Sequence, residues 1–263
     1  MKPFLRLLSA PTHVSHRGGS ALAPENTLLA FRRAVELWRT DQLELDIRLS
    51  RDGVPVVIHD ETVDRTTNGS GRVRDTTLSE LQALDAGFRY SPDGQSTPFR
   101  GAGVRVPTLE EVLREVGIPA MIDLKDSDHR AREAVAAVLA ATGATTRVCL
   151  GTWNDDDSHA LARLLPEVAL FFPQRAARRF VMAALAGETP PSSPFDVLAL
   201  PARGEGIDVV CPPVLAAARA HGHPVQVWTV DDPASMAQYL DRGVDGIQTD
   251  RPDLLRAELD RRR

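Results

Sequence analysis

Two carboxylates and a histidine lie close together near the start of the chain. Glu44 and Asp46 are two residues apart within an alternating apolar run, so a strand there would point both carboxylates to one face. His59 ends a short apolar run that follows a turn at Gly53. Paired carboxylates repel each other and are costly to desolvate, and a bound cation is the obvious compensation. The spacing predicts a site to which two strands bring two acids and a histidine.

Polar residues also follow other predicted strands. Residues 12–15 favour a strand that ends at His16-Arg17, and the two glycines that follow permit backbone conformations that bring amide groups close to a ligand. Later strand ends carry further polar or indole side chains: Asp123, Lys125, Thr152, Trp153, Trp228, Thr229, Thr249 and Asp250. Thr249-Asp250 lies just before Pro252 and is typical of a structural turn.

Strands and helices alternate along most of the chain, which predicts a parallel sheet, either open or closed into a barrel. Polar strand ends come from both halves of the chain, and a barrel gathers all of them into one ring, so we expect a barrel. Neither a GxGxxG nor a P-loop pattern is present to favour an open nucleotide-binding sheet. The candidate strands outnumber the eight barrel places; they include 56–58, 197–200 and 208–210.

The stretch 64–107 interrupts this alternation. It is rich in Thr, Gly, Ser, Arg and Pro and contains one convincing helix at about 78–84. A capping box, Thr77 with Glu80, opens that helix, and a second one, Thr108 with Glu111, opens the next. A loop-rich insertion this long is more often functional than not. We expect a single domain over residues 1–263 with this insertion inside it.

Composition restricts the class of protein. A net charge of −5 without a long basic stripe argues against a nucleic-acid surface. Cys149 and Cys211 lie beside apolar residues and favour buried, reduced thiols. The N-terminal apolar run is too short for a signal peptide, and no stretch approaches the ~18 to 20 apolar residues of a membrane span. These features predict a cytoplasmic protein without a membrane span.

Six blocks of residues, in this order and spacing, resemble the glycerophosphodiester phosphodiesterase family. They are His16-Arg17-Gly18; Pro24-Glu25-Asn26-Thr27 with Ala30-Phe31; Glu44-Leu45-Asp46; Val56-Val57-Ile58-His59-Asp60 with Arg65-Thr66-Thr67; Pro107-Thr108-Leu109 with Asp123-Leu124-Lys125; and Trp228-Thr229-Val230 with Gly243 to Pro252. Any single block would be a weak signal, whereas their order and spacing over nearly the whole chain are specific.

The resemblance implies a TIM-type (β/α)8 barrel with a small loop-rich insertion after the third strand, lying over the barrel mouth. It implies hydrolysis of glycerophosphodiesters to glycerol 3-phosphate and an alcohol, as part of lipid and glycerol metabolism. It also implies a divalent metal, Mg²⁺ or Ca²⁺, held by Glu44, Asp46 and Asp123. The family usually has Glu where this chain has Asp123, and it tends to show Ser-Phe where this chain has Thr152-Trp153.

The residues themselves support this chemistry. Oxygen ligands suit a hard cation, Arg17 and Lys125 can neutralise a phosphate, and His16 and His59 can act as general acid and base. Which imidazole is the acid is left open. Trp228 would provide an apolar wall for the substrate. Glu25 and Asn26, from the second block, join the predicted phosphate-binding residues, with helix capping as the alternative.

Two other functions remain open at this stage. The first is a lipid phosphodiesterase resembling a lysophospholipase D or sphingomyelinase D; it needs an exposed apolar rim, and no amphipathic membrane-seeking helix is evident. The second is a catalytically silent barrel that binds a phosphorylated ligand, which the substitution at Asp123 keeps open. The sequence indicates a small-molecule phosphodiester as the partner and gives no oligomeric state.

Overall fold

Strands and helices alternate in the computed structural model, which describes residues 1–202 and 206–263. The strands are β1 (Thr12–Ser15), β2 (Gln42–Leu49), β3 (Pro55–Val57), β4 (Ala120–Leu124), β5 (Val148–Gly151), β6 (Ala169–Leu170), β7 (Leu198–Pro201), β8 (Val225–Trp228) and β9 (Gly246–Thr249). The helices are α1 (Leu28–Trp38), α2 (Leu78–Gln82), α3 (Leu109–Glu115), α4 (His129–Thr142), α5 (Asp155–Leu164), α6 (Gln174–Ala186), α7 (Pro212–Ala220), α8 (Pro233–Arg242) and α9 (Pro252–Arg261).

All strands except β3 form one parallel sheet that curls into a barrel. Their order is β6-β5-β4-β2-β1-β9-β8-β7, so sequential strands are neighbours throughout. The two ends meet through a parallel bridge between Phe171 and Val197, where the amide of Phe172 donates to the carbonyl of Val197 at 2.9 Å. The predicted TIM-type (β/α)8 barrel is therefore confirmed.

The third strand lies outside the barrel. β3 pairs antiparallel with β2, with Ile47 opposite Val57, because the turn at 50–53 is too short for the crossover that parallel strands require. Residues 56–58 were a candidate barrel strand in the sequence, and that interpretation is wrong. The candidate strand at 208–210 is also wrong: the Asp208 carboxylate accepts the amide of Val210 at 3.2 Å and holds a turn there.

β2 sorts its side chains between the two faces of the barrel wall. Leu43, Leu45 and Ile47 are buried in the large apolar core between the sheet and the surrounding helices. The alternate residues project into the barrel, where the Gln42 side chain hydrogen-bonds to Gln226 at 2.9 Å. Above Gln42, the same face of β2 carries the two predicted carboxylates toward the carboxyl end of the strands.

The chain between β3 and α3 has an apolar cluster of its own. Its buried members are Val56, Ile58, Val63, Val73, Leu81, Ala86, Val104 and Val106. Both predicted capping boxes are present, since Thr77 and Thr108 each exchange hydrogen bonds with a glutamate three residues later. None of the helices within residues 1–202 and 206–263 is long and apolar enough to cross a membrane.

Candidate active site

A cavity of about 680 Å³ opens at the carboxyl ends of the barrel strands. Eight of the ten residues predicted from the sequence line it: His16, Arg17, Glu44, Asp46, His59, Asp123, Lys125 and Trp228. The structure therefore brings together acids, bases and cations that are up to about two hundred residues apart in the chain, as expected for the catalytic face of such a barrel.

The three predicted carboxylates lie on two adjacent strands. Asp46 on β2 is directly opposite Asp123 on β4 in the parallel register, and Glu44 is two residues before Asp46 on the same face. The Lys125 ammonium lies between the two aspartates, with Nζ 2.8 Å from Asp46 Oδ1 and 2.6 Å from Asp123 Oδ2. Because all three acids are buried, the lysine is part of the compensation that makes their charges tolerable.

The pKa values of the three acids reflect their burial and the charges beside them. Burial, together with the neighbouring Asp46 charge, raises the pKa of Glu44 to about 7. Burial also acts to raise the pKa of Asp46, but the Lys125 and Arg17 cations outweigh it and lower that pKa. Burial raises the pKa of Asp123 despite its contact with Lys125. The pocket therefore has a deficit of positive charge that a bound cation would fill.

Arg17 reaches this cluster from a tight turn after β1. Its backbone is left-handed, with φ of 50°, and its amide donates to Glu44 Oε2 at 3.1 Å. The guanidinium forms an ion pair with Asp46, with Nε and Oδ2 3.1 Å apart. Gly18 is required next, because it has φ of 82° and a Cβ there would lie 2.8 Å from the Cβ of Ala30. At this turn the Arg17 amide contacts the Glu44 carboxylate, and the approach of amide groups to a ligand stays a prediction.

Glu25 and Asn26 are placed differently from the other predicted residues. Neither lines the cavity; both contact groups that do. Glu25 accepts Arg17 Nη1 at 3.0 Å, and the Asn26 side-chain amide donates to Asp46 Oδ2 at 2.9 Å. In the structure they contact Arg17 and Asp46 from behind the cavity lining, and their predicted contact with phosphate stays a prediction. The N-cap of α1 is the next residue, Thr27, whose side chain accepts the amide of Ala30.

His16 is held by an aspartate that the sequence favoured only as a turn residue. Its Nδ1 lies 2.6 Å from Asp250 Oδ1, and its Nε2 is 3.8 Å from Glu44 Oε2. Asp231 accepts the backbone amide of Asp250 at 2.7 Å and so fixes the turn. Burial opposes protonation of the imidazole, but the Glu44 and Asp250 carboxylates outweigh it and raise the pKa of His16. The signal for Asp250 was its position at the carboxyl end of the last barrel strand.

His59 is held in a similar way by its neighbour in the chain. Its Nδ1 is 2.7 Å from Asp60 Oδ1, and its carbonyl accepts Arg48 Nε at 2.9 Å. Arg65 bridges Asp60 and Glu25, with Nε 2.6 Å from Asp60 Oδ2 and Nη1 2.7 Å from Glu25 Oε2. The Arg65 guanidinium, with help from His59, holds the pKa of Asp60 well below its usual range. Asp60 and Arg65 both belong to the fourth block of the family resemblance, and no role was predicted for either residue.

The two departures from the family pattern contact each other. The Trp153 indole donates to Asp123 Oδ2 at 3.0 Å, and the Trp153 ring packs edge to face on Trp228 with centroids 5.5 Å apart. The shorter acid and the indole N–H thus occur together. Trp228 lines the cavity, and its contact with the substrate stays a prediction.

The chemistry of this set of acids fits a hard divalent cation. Asp123 Oδ1 is buried without a hydrogen-bond partner, and all the nearby anionic donors are carboxylate oxygens. Within residues 1–202 and 206–263, however, no three acidic, histidine or cysteine side chains converge at ligand distances. Lys125 and Arg17 share Asp46, so these cations would have to yield part of that carboxylate to an ion.

Comparison with known proteins gives a consistent result. A sequence model described as "Glycerophosphoryl diester phosphodiesterase family" matches residues 16–254. The chain is 34% identical over 250 residues to a glycerophosphodiester phosphodiesterase of Caldanaerobacter subterraneus subsp. tengcongensis, covering 92% of this chain and 95% of the relative.

Solved structures agree with this match. A glycerophosphodiester phosphodiesterase from Agrobacterium tumefaciens superposes with a TM-score of 0.75 at 31% identity, over 94% of this chain and 99% of that one. An Oleispira antarctica phosphodiesterase solved in complex with the product sn-glycerol-3-phosphate superposes with a TM-score of 0.74 at 25% identity, over 95% of this chain and 97% of that one.

Proposed function

This chain belongs to the glycerophosphoryl diester phosphodiesterase family, and from that premise we propose a metal-dependent hydrolysis with His16 and His59 as general acid and base. The substrate is a glycerophosphodiester, and the products are glycerol 3-phosphate and an alcohol. One observation carries the assignment of the histidines. Each imidazole is anchored through Nδ1 by a carboxylate, and both line the cavity that contains the acids and cations.

Substrate binding follows from the charges of the cavity. Arg17 can meet a phosphate with two parallel hydrogen bonds, and Lys125 contributes a second positive charge. Both are now paired with buried carboxylates, so a phosphate would compete for them. Trp228 offers its ring as a wall on which the alcohol or glycerol can rest. These contacts orient the diester between the two imidazoles.

The reaction divides into two proton-balanced steps. In the first, the glycerol hydroxyl next to the ester attacks phosphorus, one imidazole takes its proton, and the other protonates the departing alkoxide. The bond from phosphorus to the alcohol breaks, leaving a cyclic glycerol phosphate. In the second, water opens that ring with the imidazoles in reversed roles, giving glycerol 3-phosphate. Asp250 and Asp60 fix the ring tautomers for both steps.

Members of this family generally depend on a divalent metal. Glu44, Asp46 and Asp123 would hold Mg²⁺ or Ca²⁺ in this chain, and the ion would supply positive charge against the phosphate oxygens. Asn26 orients Asp46, while Trp153 donates to Asp123 and thereby limits which of its oxygens is available.

We propose that the whole chain acts as one domain, and that the reaction takes place in the cytoplasm, where its two free thiols would stay reduced.

Turnover of glycerophosphocholine tests this function. We expect release of choline and glycerol 3-phosphate that stops with a chelator and returns with Mg²⁺ or Ca²⁺. His16→Ala and His59→Ala should each remove activity, whereas His129→Ala, at the start of α4 and outside the cavity, should retain it. Hydrolysis that persists in the chelator, or in either site variant, would contradict the proposal. Absence of any turnover with metal present would favour the silent phosphate-binding barrel.

A further inference from the structure

The charged cluster occupies only part of the cavity. The described residues include eight large apolar side chains that are exposed to solvent, and four of these line this one cavity. They are Trp153, Met182, Leu185 and Ile207, between 36% and 48% exposed. Apolar exposure concentrated beside a polar site marks a surface that covers a ligand, since isolated apolar residues are otherwise scattered.

Helix α6 forms the main wall of this apolar region. Val181, Met182 and Leu185 all line the cavity, and Leu185 follows the other two by four and three residues, which places it on one helical face with them. Nearer the start of the helix the lining is polar, with Gln174, Arg175 and Arg178. From Ala177, which also lines the cavity, to Leu185 the wall extends about 12 Å along the helix axis. The apolar wall is therefore an elongated groove along α6.

The short β6 strand explains why an outer helix reaches the barrel cavity. β6 has only two residues, and pairing toward β7 ends at the bridge between Phe171 and Val197. Beyond that bridge, Phe171 and Phe172 line the cavity, as do Leu200 of β7 and Ile207 after it. The groove is therefore continuous with the part of the cavity that holds the charged cluster, so a chain attached to the substrate can reach it.

Resting on the proposed function, we infer that this groove binds a single hydrocarbon chain carried by the diester, so that the enzyme hydrolyses lysophospholipid-type substrates. A chainless diester would leave Met182, Leu185 and Ile207 in water, whereas a chain along α6 would bury them. The bonds that form and break are those of the proposed reaction. With lysophosphatidylcholine, water supplies the new phosphate oxygen, choline leaves with the proton, and acylglycerol phosphate remains.

A chain-length series tests the inference. The substrates are glycerophosphocholine and its butanoyl, hexanoyl and octanoyl esters, each kept below its micellar concentration. Since each buried methylene can contribute up to about a fourfold gain, we expect kcat/KM to rise at least about tenfold from glycerophosphocholine to the octanoyl ester. Glycerophospho-N-acylethanolamines of matched chain length place the chain on the alcohol; whichever set shows the larger rise identifies the end of the diester that enters the groove.

Variants separate the groove from the general surface. Leu185→Glu places a charge in the groove and should reduce the ratio of octanoyl-ester to glycerophosphocholine kcat/KM at least about tenfold. Leu164→Glu is the matched control, because Leu164 is an exposed helical leucine outside the cavity, and it should leave the ratio unchanged. An equal fall in the ratio for both variants would overturn the inference.

Binding of unreactive diesters distinguishes failure of the inference from failure of the proposed function. Octylphosphocholine and methylphosphocholine lack the neighbouring hydroxyl, and we expect calorimetry to show tighter binding of the octyl compound. Turnover of glycerophosphocholine without any chain dependence in rate or binding would overturn the inference alone. Chain-dependent binding without turnover of any diester would overturn the proposed function, and with it the hydrolysis of lysophospholipids, and would leave the binding of a hydrocarbon chain in the groove standing. Absence of both would overturn both.

Discussion

The contact between His16 and Asp250 leads to a prediction about rate. Asp250 Oδ1 is 2.6 Å from His16 Nδ1, and the two side chains are 27% and 15% exposed. A hydrogen bond to a charged partner contributes about 1.5–3 kcal/mol, and partial exposure favours the lower half of that range. If the carboxylate supports the imidazole in the transition state, Asp250→Asn should lower kcat about 10- to 50-fold, because each 1.4 kcal/mol is about tenfold in rate.

Steady-state kinetics on glycerophosphocholine is the assay, with kcat and KM measured separately. The amide keeps the size of the side chain and an acceptor oxygen, so KM should change less than about threefold, while Asp250→Ala should lose more activity than Asp250→Asn. Asp253→Asn is the matched control: Asp253 pairs with Arg251 at 2.7 Å, in the first turn of α9 and outside the cavity. A folded Asp250→Asn enzyme with kcat within twofold of the wild type would refute the argument, as would a loss confined to KM.

Three further predictions concern other groups. His59→Ala should abolish turnover while metal still raises the melting temperature; near-native turnover would remove His59 from the mechanism. Asp123→Glu should retain or raise activity if Asp123 is a ligand, and Trp153→Phe should change that effect because the indole donates to Asp123; complete loss of metal affinity in Asp123→Glu would indicate another role. Burial lowers the pKa of His13 to about 4 from 6.5, so the unfolded chain binds more protons and stability falls as pH drops from 6.5 toward 4. Urea unfolding at pH 7 and at pH 4.5 measures how much free energy of unfolding is lost between the two pH values. This loss should be about 2 kcal/mol smaller in His13→Gln than in the wild type, and equal losses would contradict the prediction.

The barrel and most of the cavity could be predicted from sequence because their signals are local. The alternation along β2 identified which face holds Glu44 and Asp46, and that face lies inside the barrel. The polar residues at the carboxyl ends of the predicted strands indicated the end of the barrel at which the cavity opens. The direction of a strand relative to its neighbour, by contrast, is not encoded in a three-residue apolar run such as 56–58. For this reason β3 was predicted to be a strand of the barrel.

Contacts between residues far apart in the chain could not be predicted from the sequence. Asp250 looks like a turn residue until β9 is placed beside β1, and only the register of β2 with β4 puts Lys125 between two aspartates. The bridge from Arg65 to Glu25 and Asp60 depends on how the chain after β3 folds back onto the segment between β1 and α1 that contains Glu25. The apolar groove depends on the early end of β6, which a five-residue apolar stretch at 168–172 did not reveal.

The antiparallel hairpin gives the two imidazoles different mechanical supports. His16 follows directly after a barrel strand. His59 follows β3, which pairs antiparallel with the last residues of β2 and lies outside the barrel. Residues 58–107 bring one proton-transfer group together with most of the apolar cluster that begins at Val56 of β3. A change in the packing of that cluster would therefore act on His59 through β3, whereas His16 and the carboxylates of β2 and β4 are positioned by the barrel strands themselves.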